Sequence, residues 1–585
     1  MSEMKKIPYG LTDLKRIIEQ NYFYVDKTRF LPKIEETGSY LFLIRPRRFG
    51  KSLWLATLEL YYDLYYKDIS KKILKETYIG QNPTKERSQY FMLKFNFSAV
   101  NPEIEKVELS FEEHCNEQYV EFIDKYNSLL PDNFEADLKQ RQTAYSKLEF
   151  IYTKIKSSGY KLYIIIDEYD NFANTILSGS NGKERYKRLT QGEGFFRHFF
   201  NKLKVGTSGI DAPITRTFIT GVSPVTMDDV TSGYNIGDNI TTNPQLNEII
   251  GFTNNELDTL LEHYKQAGVL KNSIAEIKNT ITEWYNHYCF SEENSNTLYN
   301  SDMVLFYINQ YIKRQKQPKN LIDNNAKTDY KKLQHLITLD RQLNGNFSVL
   351  KQIYEKQEIS ALIAESFPVE QLLDKDCFVS LLYYFGLLSI EGIKEGRTNL
   401  IIPNNTIKSF WKDYIIEAYQ KTNTFRIDIF DYSRLIHEMA YRGEWKQVFD
   451  FLAEEIKKQS KIRDYINGEA MIKGFLMAYL SITEHYVLVS EKELNKGFAD
   501  LYLEPFIYRF TDMPYCYLIE VKYVPRSEKE IAKDSKKIET LVKEAETQLN
   551  QYENDEVVLK TKHHTKVRKL VLVYHGWELI YKEEV

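Results

Sequence analysis

The segment Arg45–Ser52, which reads Arg-Pro-Arg-Arg-Phe-Gly-Lys-Ser, restricts the possible folds of this chain more than any other segment. It follows the apolar run Tyr40–Ile44 and precedes the apolar-periodic stretch Leu53–Leu58. This order predicts a strand, a tight loop and a helix, the context that the closing Gly-Lys-Ser of a phosphate-binding P-loop, or Walker A motif, requires. The alternative is a solvated basic turn before a helix. It is disfavoured because an acidic motif later in the chain supplies the second half of a nucleotide-binding site.

The chemistry of phosphate binding needs these residue types in this order. Gly50 lets the backbone approach a phosphate without a Cβ in the way. Lys51 would place a positive charge on the β- and γ-phosphates, and Ser52 would offer its hydroxyl to Mg²⁺. Arg45 departs from the motif, because it stands where the usual first glycine would be. The candidate nucleotide-binding residues of the loop are Arg47, Arg48, Phe49, Gly50, Lys51 and Ser52.

The acidic motif lies at the end of the run Leu162–Ile166, which is followed by Asp167 and Glu168. A continuous, largely β-branched run is typical of a strand buried on both faces of a parallel sheet. Acids at its carboxyl end lie where α/β sheets bind their ligands. We expect Asp167 to bind the Mg²⁺ of a nucleotide through water, as in a Walker B motif, and Glu168 to polarise the attacking water. Two ordinary acids that end a strand are the alternative.

A third strand is predicted in the segment Arg216–Pro224, whose end carries small hydroxyl residues, as a γ-phosphate sensor would. Thr220 or Ser223 could orient the attacking water, and Thr220 is the candidate nucleotide contact. A strand that simply ends in a Ser-Pro turn is an equally good explanation of the local sequence. Arg216 is a further candidate for phosphate contact.

Composition sets only broad limits. A length of 585 residues predicts three or four domains, and a net charge of −4 neither demands nor excludes nucleic acid, since binding needs only a local basic groove. The four cysteines are far apart, which disfavours a disulfide framework or a zinc ribbon. The N-terminus lacks an apolar signal core, and no apolar run approaches membrane-spanning length. We therefore expect a soluble, cytoplasmic protein with no membrane partner.

A second chemical constellation lies near the C-terminus. Asp500 and the later Glu520-Val521-Lys522 fall on two predicted strands, and alternate side chains of a strand share a face, so Glu520 and Lys522 project together. Asp500 and Glu520 are candidate ligands of Mg²⁺, which would lower the pKa of a bound water. Lys522 would position that water or stabilise charge in the transition state. An ion pair on an exposed strand face would have the same sequence.

Other residues could support this site. Glu469, on a preceding helix, could add a carboxylate, and Gln548 with Tyr552 lies on a later helix. The basic run Lys560–Lys569 could contact a phosphate backbone, although such a run is more often a solvated loop. His563 and His564 within it are adjacent, point apart and make a poor metal pair.

Taken together, these motifs resemble the bacterial AAA-ATPase-like proteins that carry a C-terminal PD-(D/E)XK nuclease-superfamily domain, and the resemblance spans nearly the whole chain. In that family the Arg-Pro-Arg-Arg-Phe form of the P-loop is usual. The segments that carry the resemblance are Ile7–Gly10, Tyr24–Thr28, Arg45–Ser52, Ile166–Asp170, Ile219–Ser223, Trp284–Tyr285, Tyr288–Phe290, Tyr299–Asn300, Gly497–Leu501 and Ile519–Lys522.

The resemblance implies an α/β fold with a P-loop NTPase (AAA/STAND-like) core, a helical lid, a helical or winged-helix-like middle region and a restriction-endonuclease-like α/β domain. The expected domains are an N-terminal lead at 1–35, the ATPase core at 36–250, the lid at 251–340, the connector at 341–440 and the nuclease-like domain at 441–585. The connector includes a predicted helix at 378–385 and a hairpin around Gly396. A plain structural connector fits the same sequence.

The function that the resemblance implies is an ATP-binding and ATP-hydrolysing ATPase coupled to a Mg²⁺-dependent nuclease. Its expected ligands are ATP, Mg²⁺ and nucleic acid, with DNA ahead of RNA, and a role in defence or DNA processing is conjecture. Glu168, Asp500, Glu520 and Lys522 are the candidate catalytic residues, and Ser52, Asp167, Asp500 and Glu520 the candidate metal ligands. One alternative is an ATP-switched binding module whose nuclease fold is inactive, and another is a dimerisation platform. The sequence leaves the oligomeric state open.

Overall fold

The computed structural model describes residues 4–585 apart from 178–181, 191–193, 232–233, 235, 319, 329–348, 351, 354–355, 412–413, 415–428, 459–467, 481–482, 484, 495–496, 508–509 and 529–533. Two compact units make up the chain, residues 1–410 and residues 411–585. Each unit has its own sheet of five strands, and the first has an additional sheet of three strands. The α/β fold class that the sequence predicts is confirmed.

The first unit is built on a parallel sheet with the strand order β2-β3-β4-β1-β5. Apolar runs at 40–44, 90–97, 162–167 and 215–222 predict four of these strands to within one residue. The sequence misses the last, because two residues are too few to show an alternating pattern. The strands are β1 (Tyr40–Ile44), β2 (Tyr90–Asn96), β3 (Lys161–Asp167), β4 (Ile214–Gly221) and β5 (Asp238–Asn239).

The strand order places β4 between β1 and β3, so the chain ends that leave these three strands are neighbours. Leu43 on β1 pairs with Thr220 on β4, and Ile166 on β3 pairs with Ile219 on β4. The P-loop, the acidic end of β3 and the hydroxyl end of β4 therefore meet at the carboxyl edge of the sheet, where α/β proteins bind ligands.

Helices surround this sheet, and the one that follows β1 begins at Lys51. Local sequence explains several of their ends: Thr143 and Ser146 form a capping box, and Asp13 and Thr77 cap helices with their side chains. The helices are α1 (Leu14–Glu19), α2 (Leu31–Thr37), α3 (Lys51–Tyr62), α4 (Lys67–Ile73), α5 (Tyr78–Gln81), α6 (Val107–Tyr126), α7 (Phe134–Lys139), α8 (Ala144–Ser157), α9 (Asn171–Leu177), α10 (Gly182–Thr190), α11 (Phe195–Gly206) and α12 (Pro224–Thr231).

The region where the sequence predicts a helical lid is helical over much of its described part. Its helices include α13 (Asn254–Gln266), α14 (Ile274–Tyr285) and α15 (Ser301–Arg314). Asn254 before the apolar-periodic residues suggests an N-cap from sequence, but the N-cap of α13 is Thr253. The Thr253 hydroxyl accepts from the Glu256 amide, and the Glu256 carboxylate accepts from the Thr253 amide. Single 3₁₀ turns lie at Thr28–Phe30, Phe97–Ala99, Ile240–Thr242, Pro244–Leu246 and Val369–Leu373.

The middle region contains a helix and a small antiparallel sheet. Strand β6 (Glu358–Ala361) and helix α16 (Lys375–Tyr384) precede the hairpin of β7 (Ser389–Lys394) and β8 (Arg397–Ile401), and the sheet order is β6-β8-β7. The predicted helix and hairpin are therefore present, with Gly396 in the turn at φ +75°. Residues 329–348, at the junction of the expected lid and connector, and residues 415–428 of the expected connector lie outside the described residues.

The second unit has a mixed sheet with the order β13-β12-β11-β10-β9, in which only β11 and β12 pair in parallel. A parallel pair needs a crossover connection, and α20 lies in that connection. The strands are β9 (Tyr486–Leu494), β10 (Gly497–Pro505), β11 (Tyr515–Val524), β12 (Lys566–His575) and β13 (Glu578–Glu584). The helices are α17 (Ile429–Arg442), α18 (Trp445–Lys458), α19 (Glu469–Leu480), α20 (Ser535–Tyr552) and α21 (Glu556–Thr561).

The core of the second unit fixes the face of α20 toward the sheet. Ala545, Leu549 and Tyr552 of this helix are buried against Leu518 of β11 and Val571 of β12. The spacing of the three helical residues is the three-to-four-residue period of an amphipathic helix. Gln548, which lies between them in sequence, is thereby placed near the sheet.

The described residues include no helix that is both long and apolar enough to cross a lipid bilayer. The four cysteines are buried and none forms a disulfide.

Candidate active sites

The P-loop has the backbone conformation that its sequence predicts. Gly50 has a φ of +97° and immediately precedes α3. A Cβ at this position would meet the Ser301 hydroxyl only at 3.7 Å, so the left-handed φ, rather than lack of space, requires glycine. The first N–H groups of a helix such as α3 have no preceding helical carbonyl to bond, which is the arrangement that binds phosphate at helix N-termini.

The Lys51 amine is held inside this loop. Its Nζ donates to the carbonyl oxygens of Arg45 at 2.8 Å and Pro46 at 2.9 Å. Burial lowers the pKa of Lys51 to about 8, and the nearby carboxylates of Glu168 and Asp167 oppose that shift. The amine therefore stays protonated at neutral pH and is positioned to exchange carbonyl partners for phosphate oxygens.

Asp167, at the end of β3, is hydrogen-bonded both to the P-loop side and to β4. Ser52 Oγ donates to Asp167 Oδ2 at 2.7 Å, and Thr220 Oγ1 donates to Asp167 Oδ1 at 2.7 Å. Asp167 and Thr220 are both buried. A serine hydroxyl and a carboxylate at this distance fit a hydrated Mg²⁺, which prefers oxygen ligands and retains several waters.

Glu168 follows Asp167 in a left-handed backbone conformation, with a φ of +49°. Burial raises its pKa, while the positive charges of Arg47 and Lys51 act in the opposite direction. A half-buried carboxylate with a raised pKa beside cations has the properties of a general base. Its place in the cavity wall, described below, brings it to the same space as the P-loop.

The residues after Glu168 hold the end of β4. Asp170 accepts hydrogen bonds from the Val222 amide at 3.0 Å and the Ser223 amide at 2.5 Å. Tyr169 donates its hydroxyl to the Ser223 carbonyl at 2.7 Å. A Cβ on Gly221 would lie 2.3 Å from the Tyr169 ring, so glycine is required there by close packing. Ser223 takes part in these contacts through its backbone.

Arg45 resolves the departure from the P-loop pattern. Its guanidinium points away from the loop opening into the protein, where Nη1 donates to the Thr241 carbonyl at 2.5 Å and the group lies 4.1 Å from the centre of the Phe290 ring. Burial lowers its pKa to about 10. Because only the Arg45 backbone carbonyl reaches Lys51, a large side chain is accommodated where a glycine is usual.

The other candidate loop residues are placed differently from one another. Arg47 Nη2 donates to Asn171 Oδ1 at 3.1 Å, and Arg48 Nη1 donates to Asp302 Oδ2 at 2.8 Å. Phe49 is 1% exposed and packs edge-on against the Tyr288 and Phe290 rings. The arginines face the cavity, whereas Phe49 fixes the loop by packing.

Arg216 lies away from this site. Its Nε and Nη2 donate to the carboxylate of Glu86 at 2.6 and 2.7 Å, and Nη1 donates to the Gly38 carbonyl at 2.9 Å. It precedes Thr220 by four residues on β4, a distance of about 13 Å along an extended strand. The expectation of phosphate contact by Arg216 is therefore wrong, and the residue stabilises the opposite end of the sheet.

A cavity of about 480 Å³ opens over the P-loop. Arg47, Lys51 and Glu168 line one side, and the lining also includes residues of the N-terminal lead and of the helical region after Phe252. The volume falls within the usual range for small-molecule sites. The sequence analysis missed the lead as part of this wall. Lining residues outside the P-loop include Pro8, Gly10, Leu11, Val25, Ile250, Gly251, Asp302 and Leu305.

In the second unit, Asp500 and Glu520 lie on neighbouring antiparallel strands. Leu501 pairs with Ile519, so the next pair outward is Asp500 and Glu520. At this pair the Asp500 side chain, rather than a backbone carbonyl, accepts a hydrogen bond from β11: its Oδ2 accepts from the Val521 amide at 2.8 Å. Burial raises the pKa of Asp500, and hydrogen bonds from Lys473 and from the Val521 amide lower it.

Glu520 is a buried carboxylate with one satisfied oxygen. Oε1 accepts from Lys522 Nζ at 3.0 Å, whereas Oε2 is buried and has no hydrogen-bond partner among the described residues. Burial raises the pKa of Glu520 to about 7, with a further contribution from the charge of Asp500. An unpartnered buried carboxylate oxygen is costly, and a cation at this point would remove that cost.

Lys522 connects Glu520 to α20. Its Nζ also donates to Gln548 Oε1 at 2.7 Å. The structure thus brings together three of the residues that the sequence singles out: Glu520, Lys522 and Gln548. The described residues contain no group of three or more His, Cys, Asp or Glu side chains arranged around a common metal position.

Lys473 is a member of this site that the sequence analysis missed. Its ammonium forms ion pairs with Asp500 Oδ1 and with Glu469 Oε1, the latter at 2.5 Å. Glu469 is thus paired with a lysine one helical turn later on α19. The available signal was the Glu-to-Lys spacing of four residues on one helix, which favours a pair, but the partner Asp500 is distant in sequence.

The basic run at 560–569 spans the end of α21 and the start of β12. Two of its cations have acidic partners in their own unit: Arg568 donates to Glu584, and Lys569 pairs with Glu553 at 2.9 Å. Lys560 and Lys562 lie at the C-terminal end of α21. Contact of this run with a phosphate backbone remains a prediction.

Two family models match the chain. Residues 8–231 match the model described as Predicted AAA-ATPase, and residues 467–584 match that of the PD-(D/E)XK nuclease superfamily. The chain thus carries an AAA-ATPase-like domain followed by a nuclease-superfamily domain. The first match contains the P-loop and the acidic strand, and the second contains Asp500, Glu520 and Lys522.

A curated relative from Azotobacter chroococcum mcd 1, described as an uncharacterized protein in the vnfD 5′ region, is 26% identical over 308 residues. The match covers 52% of each chain, so this chain spans about half the length of that relative. Among solved structures, Cdc6p from Pyrobaculum aerophilum is similar with 11% identity and a TM-score of 0.22, covering 71% of this chain and 96% of that one.

Proposed function

We propose that this chain binds and hydrolyses ATP at the P-loop of its first unit and cleaves nucleic acid with Mg²⁺ at the Asp500–Glu520 site of its second. One observation carries the ATPase proposal: Ser52, Asp167 and Thr220 are joined by two 2.7 Å hydrogen bonds beside the buried Lys51 amine. These are the groups that ATP hydrolysis requires at one place. The AAA-ATPase-like match over residues 8–231 supports the same reading.

Each residue of the ATP site has a role that follows from its contacts. Lys51 exchanges the carbonyls of Arg45 and Pro46 for β- and γ-phosphate oxygens. Ser52 and Asp167 would hold Mg²⁺, which supplies charge neutralisation at the phosphates. Glu168 orients and deprotonates the attacking water, and Thr220 holds Asp167 in place through its hydroxyl.

The second site has the parts of a metal-dependent nuclease. Asp500 and Glu520 would hold Mg²⁺, which activates a water and neutralises charge on the phosphate being cut. The unpartnered Glu520 Oε2 is the observation that carries this assignment. Lys522, fixed by Gln548, presents its ammonium beside Glu520 and stabilises the charge that develops on the phosphate.

Nucleic acid is the proposed substrate class because residues 467–584 match a nuclease superfamily. DNA is preferred over RNA by the family resemblance alone. We further propose that ATP binding changes the activity of the second unit, so that the chain acts as an ATP-gated nuclease in defence or DNA processing.

A second candidate function is an ATP-switched module that binds nucleic acid or protein without cutting. The contact of the Lys473 ammonium with Asp500 favours it, because a cation already occupies one side of a carboxylate that a metal would need. In this case the nuclease fold is retained only for binding, and ATP sets its affinity for the target.

Two assays on one preparation test the proposal. Phosphate release from ATP is measured for the wild type and Glu168→Gln, and cleavage of plasmid and single-stranded DNA with Mg²⁺ or Mn²⁺ is measured for the wild type and Glu520→Ala. Both activities, each lost in its own variant only, support the proposal. ATP turnover without any cleavage supports the binding module, and cleavage that survives Glu520→Ala contradicts the assigned nuclease site.

A further inference from the structure

The ammonium of Lys473 lies against the carboxylates at which a divalent cation is proposed to bind. It pairs with Asp500 on β10 and with Glu469 on its own helix, α19. Lys473 is largely buried, with 17% of its side chain exposed, as is Asp500 with 9%. This ion pair is consequently shielded from solvent, unlike the surface pairs that contribute little.

Each of the two lysines of this site, Lys473 and Lys522, pairs with one carboxylate oxygen of Asp500 or Glu520. Lys522 takes Oε1 of Glu520, and Lys473 takes Oδ1 of Asp500, while Oδ2 of Asp500 accepts a backbone amide. One oxygen, Oε2 of the 3% exposed Glu520, has no partner in the described part of the chain. The Glu520 carboxylate therefore keeps one oxygen without a partner, whereas both oxygens of Asp500 are engaged.

We propose that Lys473 serves as the internal counter-cation of this site, and that it must leave Asp500 before the carboxylate can bind a divalent cation. The inference rests on the proposed metal site and adds a residue that regulates its occupancy. The physical reason is that an ammonium and a divalent cation compete for the same carboxylate oxygen. Two cations in contact with one carboxylate also repel each other.

The test measures Mn²⁺ binding to the full chain, stripped with a chelator, by calorimetry at pH 8. Only the binding that Glu520→Gln abolishes is attributed to this site, which separates it from any Mn²⁺ at the P-loop. Lys473→Met removes the charge at similar side-chain length, Lys473→Arg keeps the charge, and Lys457→Met is the matched control. Lys457 forms a pair with Glu454 at 2.8 Å that is half-exposed and lies on a different helix.

The proposal predicts that Lys473→Met binds Mn²⁺ at least about tenfold more tightly than the wild type, which corresponds to about 1.4 kcal/mol. Lys473→Arg and Lys457→Met are expected to bind like the wild type. Circular dichroism melts of each variant show that it is folded. If Lys473→Arg binds Mn²⁺ with the affinity of the wild type, the charge at this position, rather than the packing of the side chain, sets the affinity.

Two failures are distinguishable. If Mn²⁺ binds in a Glu520-dependent manner but Lys473→Met binds it equally or more weakly, the role of Lys473 is overturned and the metal site stands. If neither the wild type nor Lys473→Met shows Glu520-dependent binding, the metal site itself is overturned, and this inference with it.

Discussion

Ser52 Oγ donates a 2.7 Å hydrogen bond to Asp167 Oδ2, although the two residues are 115 positions apart in the chain. The bond joins the first turn of α3 to the end of β3 across the carboxyl edge of the parallel sheet. It brings together the hydroxyl and the carboxylate that are proposed to hold Mg²⁺. The residues of this proposed ATP site can be tested one at a time.

Lys51→Ala is expected to weaken ATP binding by about 100-fold or more, because the amine would make charge-assisted hydrogen bonds to phosphate worth about 1.5–3 kcal/mol each. Fluorescent ATP-analogue titration measures the loss. The control is Lys71→Ala, which removes an exposed lysine from α4 of the same unit and should bind ATP normally. Tight ATP binding by the Lys51 variant would rule out the P-loop assignment.

Glu168→Gln should slow ATP hydrolysis by about 100-fold or more, the usual contribution of a general base, while ATP binding stays within a few fold of the wild type. The amide keeps the size of the side chain but cannot accept a proton. Steady-state phosphate release and nucleotide titration separate the two effects. Glu184→Gln, at an exposed position on α10, is the matched control. Undiminished turnover in Glu168→Gln would assign the base elsewhere.

Glu520→Gln is expected to stabilise the metal-free protein at pH 8. The pKa of Glu520 is raised from 4.5 to about 7 in the folded chain, so the folded state holds a proton between these values that the unfolded state has lost. Stability from this group is thus present below pH 4.5 and falls as the pH rises to 7. Above pH 7 the ionised carboxylate costs at most about 3 kcal/mol, which the neutral amide avoids.

Thermal unfolding in a chelator at pH 5 and pH 8 checks this expectation. The gain in midpoint from Glu520→Gln should be large at pH 8 and small at pH 5. Glu546→Gln, at an exposed position of α20, should change neither. A gain that is the same at both values would mean that burial does not raise the pKa of Glu520.

Gly221→Ala should destabilise the first unit by about 1–3 kcal/mol, the usual cost of overpacking a core. The new Cβ would lie 2.3 Å from the Tyr169 ring and 2.7 Å from Asp170 Oδ1, and hydrogen bonds hold both of these side chains. Urea unfolding measures the change. Gly392→Ala is the control, since a Cβ there would meet nothing within 4 Å. Equal stability of the two variants would contradict the packing described here.

The elements that a local pattern encodes were predictable from the sequence. The strands before the P-loop and before Asp167 are continuous apolar runs. The P-loop itself is recognised from its own residues, without knowledge of any contact to distant parts of the chain. Glu520 and Lys522 could be grouped because alternate side chains of a strand share a face. In each case the signal lies within one short segment.

The remainder depends on contacts that no short segment records. The Arg45 side chain turns into the protein because it contacts the Phe290 ring and the Thr241 carbonyl, both about 200 or more residues away in sequence. The pairing of Lys473 with Asp500 likewise depends on how α19 packs on its sheet. Arg216 lies on the strand that leads to the site, but its position at the start of that strand places it beside Glu86.

The measurement that tests the account most directly is cleavage of plasmid and single-stranded DNA by the full chain with Mg²⁺, with and without ATP, beside Lys51→Ala and Glu520→Ala. The account predicts metal-dependent cleavage that Glu520→Ala abolishes, that ATP changes in the wild type, and that ATP no longer changes in Lys51→Ala. Cleavage that persists in Glu520→Ala, or an ATP effect that persists in Lys51→Ala, would contradict it.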